Sequence, residues 1–176
     1  MQTSEFPLEI PRSQKSQLSI TQQRWQQALT QMEIKPEIGI GELKFGMKKA
    51  EVKKILGNPD SEKPDKEDKN RILLTYNKHR IRLTFYKDEN NRLGYILTSN
   101  PNLIYNGTNI INANIDFIKN EVFNNIINNW EIDDYPSFTA HFNEKFWMNL
   151  DSEFETVTSF ELGVPFENDD EYKWPK

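Results

Sequence analysis

The side chains best suited to chemistry are few and scattered. The sequence has two histidines, His79 and His141, and no cysteine. A general base or a metal centre needs convergent partners around such a residue. Neither histidine has another one helical turn away, and neither stands in a His-Glu-x-x-His setting. His79 falls in Asn77-Lys78-His79, which reads as an exposed hairpin turn. His141 falls on a strand, on the face expected to point outward. The lack of cysteine excludes disulfides, thiolate zinc sites and a thiolate nucleophile. Serines occur without a Gly-x-Ser-x-Gly elbow. The tightest acidic groups are Asp133-Asp134 and Asp169-Asp170-Glu171. The second lacks the alternating oxygen ligands and the glycine of a calcium loop, and reads as solvated charge. Ile38-Gly39-Ile40-Gly41 is not followed by Gly-Lys-Ser/Thr, so it is no phosphate loop. The lysines between Lys44 and Lys54 fit the solvated side of a short helix, and no aromatic stacking motif accompanies them. No catalytic residue, metal ligand or cofactor is assigned, and the expectation is a protein that is not an enzyme.

The elements that must carry these residues are written in a pattern that recurs. Residues 43–97 and 111–162 each open with a short helical pattern containing Glu-Val, at Glu51-Val52 and Glu121-Val122. Each continues into three runs of alternating apolar residues, the mark of half-buried antiparallel strands. In the first copy the runs are 71–77, 80–87 and 92–98; in the second they are 136–142, 145–151 and 156–163. A period of this size implies a duplicated supersecondary unit. Val52, Ile55 and Leu56 mark the buried side of the first helix, which Gly57 and Pro59 end. Asp116 can cap the second at about 117–129. The expected fold is α+β: two helix-plus-three-strand units forming an antiparallel sheet of about six strands, helices on one face. An N-terminal helix is expected at 19–33, with Ser19 and Gln22 as a capping box. The chain divides into an N-terminal segment (1–35), repeat unit 1 (36–100), and repeat unit 2 with an acidic tail (101–176), within one globular domain. Residues 60–70 read as a charged loop and 165–176 as the tail.

Composition narrows the class. Apolar residues make up 36% of the 176, and aromatics reach 12%, too many for a disordered chain. Met1 to Pro7 lacks a basic start followed by an apolar stretch, so no signal peptide is expected. No run approaches a membrane span, and the expected location is the cytoplasm, with no membrane partner. Net charge is −5 but uneven: residues 1–130 carry +4 and residues 131–176 carry −9. An acidic field of that size repels nucleic acid and attracts basic proteins.

The stretch from Gly41 to Asp60 contains Phe45-Gly46-Met47, a helix with Glu51-Val52, and Leu56-Gly57-Asn58-Pro59. It resembles the opening of small repeat units related to the outer-membrane assembly lipoprotein BamE. It is also similar to openings in small bacterial immunity proteins, which neutralise toxins delivered between competing cells, including those of contact-dependent growth inhibition. The lack of a cysteine for lipid attachment departs from the lipoprotein branch. The resemblance implies an immunity protein that binds and neutralises a cognate toxin domain, a basic nuclease being the expected class, with no direct contact to nucleic acid.

Partner-binding candidates follow from charge and from the outward sheet positions. They are Asp133, Asp134, Glu153, Glu155, Asp169, Asp170 and Glu171 for charge, and His141, Trp147 and Glu161 for the sheet face, where aromatic and charged side chains alternate. The other reading is a small ligand-binding domain or enzyme that uses the cleft between the two units, around His141 and Trp147.

Overall fold

The computed structural model describes residues 32–176. In chain order the strands are β1 (Met32–Lys35), β2 (Gly39–Ile40), β3 (Leu43–Lys44), β4 (Ser61–Pro64), β5 (Arg71–Tyr76), β6 (Ile81–Tyr86), β7 (Arg92–Thr98), β8 (Leu103–Tyr105), β9 (Thr108–Asn109), β10 (Glu131–Asp134), β11 (Thr139–Asn143), β12 (Met148–Glu153), β13 (Thr156–Gly163), β14 (Phe166–Asn168) and β15 (Glu171–Tyr172). Helix α1 is Lys49–Leu56, and α2 is a single turn, Ile115–Phe117, that runs on as a π turn over Ile118–Val122.

The expected architecture is corrected by this element list. The chain is mainly β, with an eight-stranded antiparallel sheet ordered β10-β11-β12-β13-β7-β6-β5-β4. A second sheet, β3-β2-β1-β8-β9, holds five strands and includes one parallel pair, β1 with β8. Two helix-plus-three-strand units and a six-stranded sheet do not describe it. The added strands come from segments too short or too charged to alternate: β4 from the 60–70 loop, β10 from Glu131-Ile132-Asp133-Asp134, and the small sheet from the segments around Gly39 and Leu103. Residues 166–172 form a hairpin rather than a free tail. The helix expected at 19–33 lies outside the described residues except for Met32 and Glu33, which are strand.

Equivalent backbone hydrogen bonds recur at β7 and β13, the neighbouring central strands of the large sheet. Gly46 donates to Leu93 and Leu93 to Met47; Asn112 donates to Val157 and Val157 to Ala113. Val52 then donates to Lys48 and Ile118 to Asn114, one turn into each helix. Val52 and Ile118 therefore hold equivalent positions in the two helices, and both are fully buried. The Glu121-Val122 pair therefore lies one turn beyond the position that the Glu-Val match assigns it. The second helix is capped by Asn114, whose side chain accepts from Asp116 and Phe117, and not by Asp116. It stops at Val122 because the asparagine-rich segment beyond has weak helix propensity.

One face of the large sheet carries the core. Leu74, Leu83, Phe85, Ile96, Phe160, Leu162, Met148 and Leu150 project there. They pack with Val52 of α1, Ile118 beyond α2, and Ile34 and Leu103 of the small sheet in one continuous cluster. No helix among the described residues is long and apolar enough to cross a membrane.

Candidate functional site: a cleft on the second face of the sheet

The opposite face of the sheet is polar and open. Cross-strand pairing sets Thr75, Arg82, Leu97, Glu161, Asn149 and Phe142 in one row across six strands. A parallel row runs Leu73, Thr84, Tyr95 and Gly163. The loop carrying Asp65 and Glu67 rises on one side of these rows, and Trp147, Phe166 and Tyr172 rise on the other. Together they enclose a cleft of about 540 Å³, within the usual size range of ligand sites. It spans the seam where β7 pairs with β13.

Two local devices place Trp147. The residue adopts φ 50° at the end of the β11–β12 turn, a left-handed conformation uncommon for a tryptophan. Gly163 lets the indole lie against the strand: a Cβ there would stand 2.1 Å from Trp147 Cδ1 and 2.9 Å from Tyr95 Cδ2. The ring meets Phe142 and Phe166 edge-on, with centroids 5.3 and 5.1 Å away. Phe166 stacks on Tyr172 at 4.5 Å, and Tyr172 reaches Tyr86 and Trp174. Trp174 lies under the Arg92 guanidinium at 3.9 Å. This chain of rings fastens the β14–β15 hairpin over the cleft's edge.

Charges in the cleft are mixed. The Tyr95 hydroxyl donates to Glu161, whose other oxygen accepts from Asn149 Nδ2 at 3.4 Å. Burial, and then the Glu161 carboxylate, push the Tyr95 phenol far above its ordinary range, so it remains a proton donor. Burial does the same to Tyr86. Arg71 pairs with Asp68 at 3.0 Å and lies 5.3 Å from the centre of the Tyr86 ring. Arg82 is exposed and has no ion-pair or hydrogen-bond partner among the described residues.

Of the sequence-selected residues, the structure brings Trp147 and Glu161 together in the cleft. Asp133 and Asp134 lie on β10, the outer edge of the sheet, where all four residues are exposed. Glu153 and Glu155 flank the β12–β13 turn, and Asp169, Asp170 and Glu171 sit at the tip of the β14–β15 hairpin, all exposed. His141 is not on the cleft face. It pairs with Leu150 on the core side and is 5% exposed. Its Nε2 lies 3.0 Å from Ser152 Oγ, and the Lys119 ammonium lies 3.4 Å from Nδ1. An ammonium has no lone pair, so Nδ1 accepts and Nε2–H donates to the serine. A base that activates serine needs the reverse polarity. Burial, then Lys119, lowers the His141 pKa, which keeps the ring neutral. His79, read as an exposed turn residue, is buried at 9% and its carbonyl accepts from Asn100 Nδ2 at 2.8 Å. Among the described residues no three His, Cys, Asp or Glu side chains gather as a metal site.

Sequence reasoning missed Tyr95 as a cleft residue. The register between β6 and β7 shifts at Thr84/Phe85, so Gly94 is a bulge and the alternation along β7 inverts there. Tyr95 then lines the cleft, with Leu97 on the same face of the sheet, while Ile96 enters the core. The available signal was Gly94 itself, an isolated glycine inside a strand pattern.

No protein-family model matches the chain, and no curated protein matches it in sequence. Two solved structures are similar in shape. One is an extracellular protein containing a SCP domain from Bacillus anthracis, at TM-score 0.46 and 10% identity over 67% of this chain. This chain spans 43% of that protein. The other is a DUF4309 family protein from Bacillus subtilis, at TM-score 0.42 and 12% identity, covering 82% of this chain and 95% of that one.

Proposed function

We propose that this chain acts by binding, as a cytoplasmic immunity protein whose partner is a basic toxin domain of the nuclease class. The observation that supports this reading is the acidic edge of the large sheet. Glu131, Ile132, Asp133 and Asp134 of β10 are all exposed, and β11 covers only one side of the strand. An open edge offers unpaired backbone groups to an incoming strand, and three carboxylates select a basic one. Two copies of the same acidic edge would repel each other. At the far edge, β4 ends in Pro64, which lacks an N–H to pair. The hairpin tip at Asp169, Asp170 and Glu171 extends the same sign of charge.

Charge reversal tests this directly. The full chain carrying Asp133→Lys and Asp134→Lys is titrated against the product of the gene immediately upstream, which this reading expects to be a toxin domain. The expected result is an association rate lowered about tenfold or more at low salt, a difference that shrinks as salt is added. An unchanged rate would remove the acidic edge from the account.

A second reading is favoured by the 540 Å³ cleft, whose walls come from both ends of the sheet. In that reading the cleft is a small-ligand site, with Trp147, Arg82 and Glu161 as its contact residues.

A further inference from the structure

We infer that the cleft binds a neutral carbohydrate, with one sugar ring set against Trp147; this rests on the small-ligand reading of the cleft. The lining carries charge of both signs. Asp65, Glu67 and Glu161 oppose an anion, while Arg71 and Arg82 oppose a cation. A ligand without net charge, but with many donors and acceptors, meets neither penalty. The groups available to it are also of both kinds. Arg82 and the Trp147 indole N–H have no hydrogen-bond partner among the described residues, and neither does the Thr84 hydroxyl on the floor. Glu161 and Glu67 offer acceptor oxygens. Sugar hydroxyls both donate and accept, so one ring can engage Arg82 and Glu161 at once.

The walls supply the other half of sugar recognition. A pyranose has an apolar C–H face that packs on an aromatic ring, while its hydroxyls point to the rim. Trp147 is half-buried and held by Phe142, Phe166 and the missing Cβ of Gly163, so its orientation is settled before a ligand arrives. Tyr95 and Asn149 hold Glu161 in the same way. Preorganised groups lose little freedom on binding.

The test is an NMR titration of the full ¹⁵N-labelled chain with maltotriose, cellotriose and triacetylchitotriose, with trialanine as a zwitterionic peptide control. The expected result is a saturable shift of the Trp147 indole N–H and the Glu161 and Tyr95 amides with at least one trisaccharide. Arg82→Ala, an exposed change that leaves the core intact, is expected to weaken that binding about tenfold. Trp147→Ala is expected to abolish it, with thermal unfolding reporting whether the variant folds. Cleft shifts with trialanine and none with any sugar would overturn the carbohydrate class and keep the cleft as a ligand site. No cleft shift with any of the four probes would overturn both. Sugar binding that survives in Arg82→Ala at full strength would overturn the assigned contacts.

Discussion

His141 illustrates how burial decides what a residue does. Between Ser152 and Lys119 it is held neutral, its pKa lowered from 6.5 by burial first and by the neighbouring ammonium second. His79 is shifted the same way, by burial and Lys78. In the unfolded chain both histidines take up a proton at higher pH than in the folded one. Their contribution to stability is therefore complete above about pH 6.5 and is lost as pH falls through the lowered folded values. Denaturant midpoints measured at about pH 7.5 and pH 5.5 should show lower stability at the acid value. His141→Gln should make that pH dependence shallower, and an equal slope in the variant would contradict this role for His141. Gly163 gives a steric prediction at the same scale. Its replacement by alanine puts a methyl into Trp147 and Tyr95, and should cost about 1–3 kcal/mol in chemical denaturation.

The β14–β15 hairpin is held by rings more than by strand pairing. Tyr172 touches Phe166, Tyr86 and Trp174, and Tyr172→Ala removes all three contacts. The expected loss is about 2 kcal/mol, with faster amide exchange at Lys173, whose N–H donates to Pro165. The acidity of residues 165–176 hid this hairpin from sequence reasoning, because charge density reads as solvation while Tyr172 and Trp174 do the packing. Strands β5, β6 and β7 were legible from alternation, each within a residue or two of its observed bounds. β10 was not, since all four of its residues are exposed and no face is marked by burial. The bulge at Gly94 inverts the alternation along β7, which concealed that Tyr95 faces the cleft. Trp147 and Glu161 were visible as outward residues, but not as neighbours across one cleft. The β12–β13 hairpin brings those two together, but their meeting with Arg82 and Tyr95 depends on β7 pairing with β13, a contact between strands far apart in the chain.

For the whole molecule, the two faces of the large sheet divide the labour. One face packs α1, the helical turns near Ile118 and the small sheet into a single core, which leaves the other with the cleft. The charge changes from +4 before residue 131 to −9 after it, and Glu131, Asp133 and Asp134 on the sheet edge and Glu167, Asp169, Asp170 and Glu171 on the hairpin are all exposed, where no core contact competes with a partner. Acidic surfaces of this kind act mainly on association rate and on the choice of partner. Binding to a basic protein should therefore weaken with salt, whereas a neutral ligand in the cleft should bind almost independently of it. The most direct measurement is co-expression of the tagged chain with the product of the gene immediately upstream, scored by growth and by purification at moderate salt. The account predicts a one-to-one complex and rescue of growth. Failure of both, with the two proteins expressed and folded, would contradict it.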